Sequence, residues 1–218
     1  VPATISAGLA DGKTIGQGLD EMDKIAKETL DDTFRTALSG DSKDYRESSS
    51  SLMFAFILAL VLIYLILAAQ FESFKDPFII MLTVPLAIAG ALIFMFADGI
   101  TMNIFSQIGI IMLIGLVAKN GILIVEFANL KQESGEDKMA AIRNAALQRL
   151  RPILMTSVST ILGLIPLAFA TGEGANQRIA MGTAVVGGML VSTLLTMYIV
   201  PAIYTYISTN RKVKTETV

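Results

Sequence analysis

The stretch GLVAKNGILIVEF, residues 115–127, decides the fold because it places a single lysine inside a long apolar run. Residues 99–118, which precede Lys119, carry no charged side chain, and Asn120 is the only polar residue among the six that follow it. A charge at the depth of a bilayer costs roughly 2.5–3.5 kcal/mol on insertion scales. The main functional question is therefore which group offsets the cost of Lys119.

Uncharged runs recur along the whole chain of 218 residues, which is 53% hydrophobic and 17% charged and has a mean hydropathy of +0.63. A helix needs about 20 residues to cross the hydrocarbon core of a bilayer. Five runs reach that length, and five such runs would be hard to bury in a soluble protein. The sequence predicts a mainly α, polytopic membrane helix bundle with five spanning helices, at about residues 52–70, 77–96, 104–130, 152–169 and 179–207.

The chain lacks cysteine and histidine, and their absence limits the kinds of functional site that it can form. The sequence holds no cysteine, so it gives no indication of a redox compartment. It also holds no histidine, which makes a metal site unexpected and removes the usual proton carrier near neutral pH. The net charge of −2 gives no sign of nucleic-acid binding.

Basic residues are distributed unevenly between the predicted loops, and this predicts the orientation. The loops after the first and third helices and the C-terminal segment hold Lys75, Lys131, Lys138, Arg143, Arg149, Arg151, Arg211, Lys212 and Lys214. The loops on the other side contain only Arg178. Positive charge favours the cytoplasm, so the C-terminal tail, residues 208–218, is expected inside and residues 1–47 outside.

Residues 1–47 have the pattern of a small α+β piece, strand-helix-strand. Thr4–Leu9 and the alternating residues 34–38 are predicted strands, and apolar residues at helical spacing separate them: Ile15, Leu19, Met22, Ala26 and Leu30. About 40 residues are too few to hold a core alone. We expect this piece to complete a domain whose remainder lies outside the sequence, and the start at Val1 leads us to expect a fragment.

A further amphipathic helix is predicted at about residues 136–150, between the third and fourth spanning helices. Met139, Ile142, Ala146, Leu147 and Leu150 line one side of it. Basic amphipathic helices lie along membrane surfaces. We expect this helix at the inner surface, with Pro152 turning the chain back into the bilayer.

Three interpretations of Lys119 remain open: snorkelling to the interface, a static ion pair between helices, or a protonation switch. The last two require a carboxylate at matching depth, and the other four predicted spans contain none. The partner must then come from a segment or subunit outside this chain. Thr156 and Thr160 either bond to their own helix or support a proton path near Lys119, and Arg149 is most simply an anchor at the inner membrane surface.

Two motifs carry a family resemblance. The segment Lys119–Ala128, KNGILIVEFA, and the segment Arg149–Ser157, RLRPILMTS, closely resemble the C-terminal half of resistance-nodulation-division (RND) multidrug efflux pumps of the hydrophobe/amphiphile branch. The stretches Ala69–Phe74 and Val84–Leu86 fit the same family. The resemblance covers essentially the whole chain and is most specific from residue 45 to 207.

The resemblance implies a secondary transporter rather than an enzyme: an inner-membrane proton/drug antiporter that exports drugs or other amphiphilic molecules without a cofactor. Residues 1–47 would end a periplasmic porter domain, and residues 48–207 would be its last five membrane helices. The lysine matching Lys119 faces two aspartates on the N-terminal half in this family. Thr156, Arg149 and Asn120 match the same proton relay.

The resemblance also implies partners: the missing N-terminal half that carries the carboxylates, a homotrimer, a periplasmic adaptor, an outer-membrane channel and membrane lipid, but no nucleic acid. Two alternatives stay open. One is an accessory membrane subunit for protein export with a related architecture, and the other is a non-transporting membrane scaffold in which Lys119 is a static anchor.

Overall fold

The computed structural model describes residues 3–8, 10, 13–31, 33–172 and 174–208, and within these ranges it forms seven helices. Five spans, namely α2, the α3–α4 pair, α5, α6 and α7, are long and apolar enough to cross a membrane, which confirms the predicted helical class. In chain order the helices are α1 (Ile15–Thr29), α2 (Asp41–Phe71), α3 (Lys75–Met81), α4 (Thr83–Ala97), α5 (Ile104–Glu133), α6 (Lys138–Ala168) and α7 (Ala175–Ile207).

Helix α7 is the centre of the bundle and packs against α4, α5 and α6. Small residues make this close packing possible, as is usual between membrane helices. A Cβ on Gly182 would lie 2.5 Å from the backbone nitrogen of Ala168, and one on Gly187 would overlap the ring of Phe94. The glycines of α7 therefore set how closely its neighbours approach.

Helix α2 lies at the edge of the bundle. Few of its apolar side chains are buried, and many are exposed, including Phe54, Leu58, Val61, Leu65 and Ile66. The residues of its spanning segment are apolar on all sides, so the sequence pattern alone does not mark its packed face. Such a surface suits contact with lipid or with further helices.

The two predicted strands are not found in the described part of the chain. Residues 4–8 and 34–38 have no regular structure, whereas the predicted helix between them forms as α1. A strand needs a neighbouring strand to accept its backbone hydrogen bonds, and the described residues offer none here. Helix α1 buries no side chain, so the α+β piece is not confirmed.

The predicted break between residues 136–150 and 152–169 is wrong, because both segments belong to α6. Pro152 lacks an N–H group and removes one backbone hydrogen bond, but one buried stripe continues across it: Ile142, Ala145, Ile153, Ser157 and Ile161. Burial of this continuous stripe against α5 and α7 outweighs the one lost bond. Elsewhere a helix is interrupted, at Leu82 between α3 and α4, where Pro85 leaves the carbonyl group four residues earlier without its donor.

Candidate functional site

Helix α5 presents one uncovered face that contains Lys119. The exposed residues follow each other at helical spacing, and the opposite face is buried against α4, α6 and α7. The uncovered face consists of Ile108, Met112, Gly115, Lys119, Glu126 and Leu130. A mid-membrane lysine on such a face is positioned to meet a group that lies outside the described bundle.

Lys119 forms no ion pair or hydrogen bond within the described residues. Glu126 lies on the same face, but it is seven residues away, or about 10 Å along the helix axis, and it also forms no ion pair there. The bundle therefore does not supply the carboxylate that the sequence leads us to expect for Lys119. The three interpretations of this lysine are not decided by the described contacts.

Asn120, the next residue, points into the bundle instead. It is 2% exposed, and its amide nitrogen donates to Ser157 Oγ at 3.3 Å and to Thr193 Oγ1 at 3.4 Å. Thr193 donates in turn to Ser157 at 3.2 Å. This buried polar triad ties α5, α6 and α7 together at one level, and the sequence did not single out Ser157 or Thr193 for that role.

The triad also fixes the depth of Thr156 relative to Lys119. Each of these two residues precedes a bonded member of the triad, and because α5 and α6 run in opposite directions they lie on opposite sides of the bond, within about 3 Å of each other in depth. The Thr156 hydroxyl donates to the carbonyl of Ile153 at 3.1 Å, and Thr160 donates to the carbonyl of Thr156. Both hydroxyls thus bond back to their own helix, the first of the two predicted alternatives for them.

Arg149 lies further toward the N-terminal end of α6, against α5. Its guanidinium carbon is 4.4 Å from the centroid of the Phe127 ring. Its Nε atom is buried and has no hydrogen-bond partner within the described part of the chain. The structure thus places Arg149 away from the level of Lys119 and in contact with an aromatic ring that sequence reasoning missed.

A second buried polar network, around Asp76, joins the N-terminal end of α3 to the C-terminal ends of α5 and α7. Asn129 donates to Asp76 Oδ2 at 3.0 Å, Tyr204 donates to Asn129 Oδ1, and Gln132 donates to the Tyr204 hydroxyl at 2.8 Å. Ser208 donates to the other Asp76 oxygen at 3.2 Å. Asp76 is 2% exposed, and only its position in the fold reveals this burial, because in the sequence it belongs to a charged loop.

One ion pair, between the end of α5 and the segment that follows it, closes the turn from α5 to α6. Lys131 Nζ donates to Glu136 Oε1 at 2.9 Å, and Asn144 donates to the second oxygen at 3.0 Å. The hydrogen bonds from Asn144 and Lys131 lower the pKa of the Glu136 carboxyl. This pair fixes the turn between α5 and α6, next to the Phe127–Arg149 contact.

Comparison with known sequences shows relatives along almost the whole chain. The sequence profile of the AcrB/AcrD/AcrF family matches residues 2–208. An uncharacterized transporter of Haemophilus influenzae is 39% identical over 217 residues, which are 96% of this chain and 21% of that protein.

Two further relatives carry functional names. The toluene efflux pump membrane transporter TtgB of Pseudomonas putida is 39% identical over 199 residues, 91% of this chain and 19% of that protein. The multidrug resistance protein MdtF of Escherichia coli is 41% identical over 197 residues, 89% of this chain and 19% of that protein. The chain thus spans about a fifth of the length of the curated relatives it matches.

Proposed function

The chain belongs to the AcrB/AcrD/AcrF family, and from that membership we propose that it is part of a proton-driven antiporter that exports drugs or other amphiphilic small molecules. Two relatives named for toluene efflux and multidrug resistance support this class of substrate. The chain would work within a larger assembly, called here the complete transporter.

The observation that carries the proposal is the position of Lys119. It is a cation at mid-membrane depth on the uncovered face of α5, with Thr156 at a similar depth on α6. A lysine in this position is costly unless it meets an acidic partner. The uncovered face gives that partner a place to dock.

We assign the partner role to carboxylates on the part of the complete transporter that covers this face. Two close carboxylates beside a lysine take up a proton at a shifted pKa. The ion pair and the protonated state favour different helix packings, so proton uptake and release shift the transporter between two conformations. Lys119 itself stays charged in this scheme.

Three other residues complete the proposed relay. Thr156 provides a hydroxyl near the level of Lys119, and Arg149 provides a positive charge nearer the inner surface. Asn120 contributes by holding α5 against α6 and α7, since its amide is bonded to Ser157 and Thr193. Thr156 contributes its hydroxyl and Arg149 its fixed positive charge to the proton path, whereas Asn120 keeps Lys119 in position.

The proposed setting is the bacterial inner membrane, with residues 1–47 in the periplasm as part of a porter domain and the C-terminus in the cytoplasm. The family membership further suggests a homotrimer that works with a periplasmic adaptor and an outer-membrane channel. The names of the relatives favour this transporter over a protein-export subunit. A membrane scaffold is the second candidate, because Lys119 could form a static ion pair with the same covering segment.

The test is to replace Lys119 with methionine in the complete transporter and to measure substrate efflux and coupled proton movement in proteoliposomes. Lys75→Met is the matched control, since Lys75 is an exposed lysine at the first position of α3. We expect Lys119→Met to assemble normally and to lose both activities, and the control to keep them. Normal efflux by Lys119→Met would overturn the proposal, and a loss of assembly alone would favour the scaffold.

A further inference from the structure

The ring of Phe127 lies between two cations at the inner ends of α5 and α6. The Arg149 guanidinium carbon is 4.4 Å from the ring centroid, and Lys131 Nζ is 5.8 Å from it. Both distances fall within the range of cation–π attraction, and the closer contact belongs to arginine, whose flat guanidinium stacks on aromatic rings. The contact joins α5 to α6 without a hydrogen bond.

The two cations differ in how their charges are balanced. Lys131 is bonded to Glu136 at 2.9 Å. Arg149 has no acidic partner in the described ranges, and its Nε atom is buried without an acceptor there. Phe127 is thus the group that holds the Arg149 side chain, and a ring holds a guanidinium without neutralising its charge.

The contact lies directly inward of the Lys119 level. Phe127 follows Asn120 by seven residues on α5, and Arg149 precedes Ser157 by eight on the antiparallel α6. Both steps amount to about 10–12 Å along the helix axes. The guanidinium therefore sits on the inner side of the bonded triad, between Lys119 and the inner surface.

We propose that Phe127 is a positioning residue for Arg149, an inference that rests on the proposed function. The ring fixes where the guanidinium lies and leaves its N–H edge available for water or for a carboxylate of the covering segment. A carboxylate in place of the ring would neutralise the charge and hold the side chain in one state. Stacking keeps Arg149 placed while its hydrogen-bond partners change.

The test varies the electrostatics of the ring at constant shape. Phe127 in the complete transporter is replaced by phenylalanines that carry one, two or three ring fluorines, which withdraw the negative charge from the ring face. Proton-coupled efflux is measured for each, with thermal stability as a check on packing. Phe127→Tyr serves as the conservative variant, and Arg149→Ala is measured beside the ring variants.

We expect efflux to fall in steps with each added fluorine, by about three- to tenfold in total, at unchanged thermal stability. Phe127→Tyr should retain most of the activity, and Arg149→Ala should lose it. If fluorination leaves efflux unchanged while Arg149→Ala abolishes it, Phe127 does not position Arg149, although the proposed function stands. If Arg149→Ala transports normally, the inference is overturned, and the Lys119→Met experiment still decides the proposed function separately.

Discussion

Lys119 and Asn120 are neighbours in the chain, yet they lie on different sides of α5. Lys119 is on the exposed face, whereas Asn120 is 2% exposed and bonded to Ser157 and Thr193. A turn of 100° per residue separates adjacent side chains on a helix, so one dipeptide serves two surfaces. Lys119 faces the surface that a further segment of the complete transporter would cover, and Asn120 holds α5 against α6 and α7.

Replacing Asn120 with alanine should destabilise the bundle more than it alters the chemistry of the site. The change removes two hydrogen bonds and leaves Ser157 and Thr193 bonded only to each other. Loss of buried hydrogen bonds of this kind costs about 1–3 kcal/mol. Thermal unfolding in detergent checks the loss, with Ser159→Ala on the exposed side of α6 as the control. An unfolding temperature equal to that of the native protein would contradict the structural role of Asn120.

Thr156→Ala should reduce proton-coupled efflux, and Thr160→Ala should not. Both hydroxyls donate to carbonyls of α6, so the two variants lose equivalent local bonds. Thr156 is the more exposed of the two side chains, and it lies one residue from the bonded Ser157 whereas Thr160 lies three residues away. Efflux rates of the two variants in proteoliposomes make the comparison, and equal rates would remove Thr156 from the relay.

Gly182→Ala should destabilise the contact between α6 and α7. Its new Cβ would lie 2.5 Å from the backbone nitrogen of Ala168, and the backbone cannot move aside as a flexible side chain does. Overpacking of this kind costs about 1–3 kcal/mol. Gly163→Ala is the matched control, because no atom of the described chain lies within 4 Å of its added Cβ. The unfolding temperatures of the two variants are compared. An unchanged temperature for Gly182→Ala would refute the close approach of α7 to α6 at this glycine.

Tyr204→Phe should weaken the buried polar network around Asp76, because the Tyr204 hydroxyl both donates to Asn129 and accepts from Gln132. The ring stays buried, so packing changes little and the lost hydrogen bonds dominate. We expect a loss of about 1–3 kcal/mol, measured by thermal unfolding. Tyr206→Phe, at an exposed tyrosine one half-turn away, is the control, and equal effects of the two changes would argue against a specific role of the network.

The stability of the α5–α6 turn should depend on pH through Glu136. Hydrogen bonds from Asn144 and Lys131 lower the pKa of its carboxyl in the folded protein. Its contribution to stability is therefore present above the unfolded value of about 4.3 and is lost as the pH falls through the folded pKa. The sign follows from the depressed pKa, because the folded state favours the ionised form.

Removing Asn144 tests this directly. Asn144→Ala should move the pKa of Glu136 up toward its ordinary value, since the hydrogen bond from Asn144 is the main cause of the shift. The carboxyl band of Glu136 in infrared spectra, isolated by subtracting the spectrum of Glu136→Gln, reports the titration. An unchanged titration midpoint would show that Asn144 does not stabilise the carboxylate.

The sequence by itself determined the helical class, because apolar runs of about 20 residues have few alternatives to membrane-spanning helices. It also determined that an acidic partner for Lys119 would have to come from outside the other four predicted spans, since these contain no carboxylate. It did not determine the secondary structure of residues 4–8 and 34–38, because a strand depends on pairing with neighbouring strands and not on local pattern alone.

Tertiary structure decided what the one-dimensional pattern could not resolve. Helices α2, α5 and α7 are apolar on nearly all sides. Only packing therefore shows that α7 is central and α2 is peripheral. Packing also shows that Lys119 lies on the exposed face of α5 and Asn120 on its buried face. It decided that α6 runs through Pro152, because a continuous buried stripe outweighs one missing hydrogen bond. It also brought Phe127 to Arg149 and Asp76 to Asn129, contacts between distant segments that come together only when the helices associate.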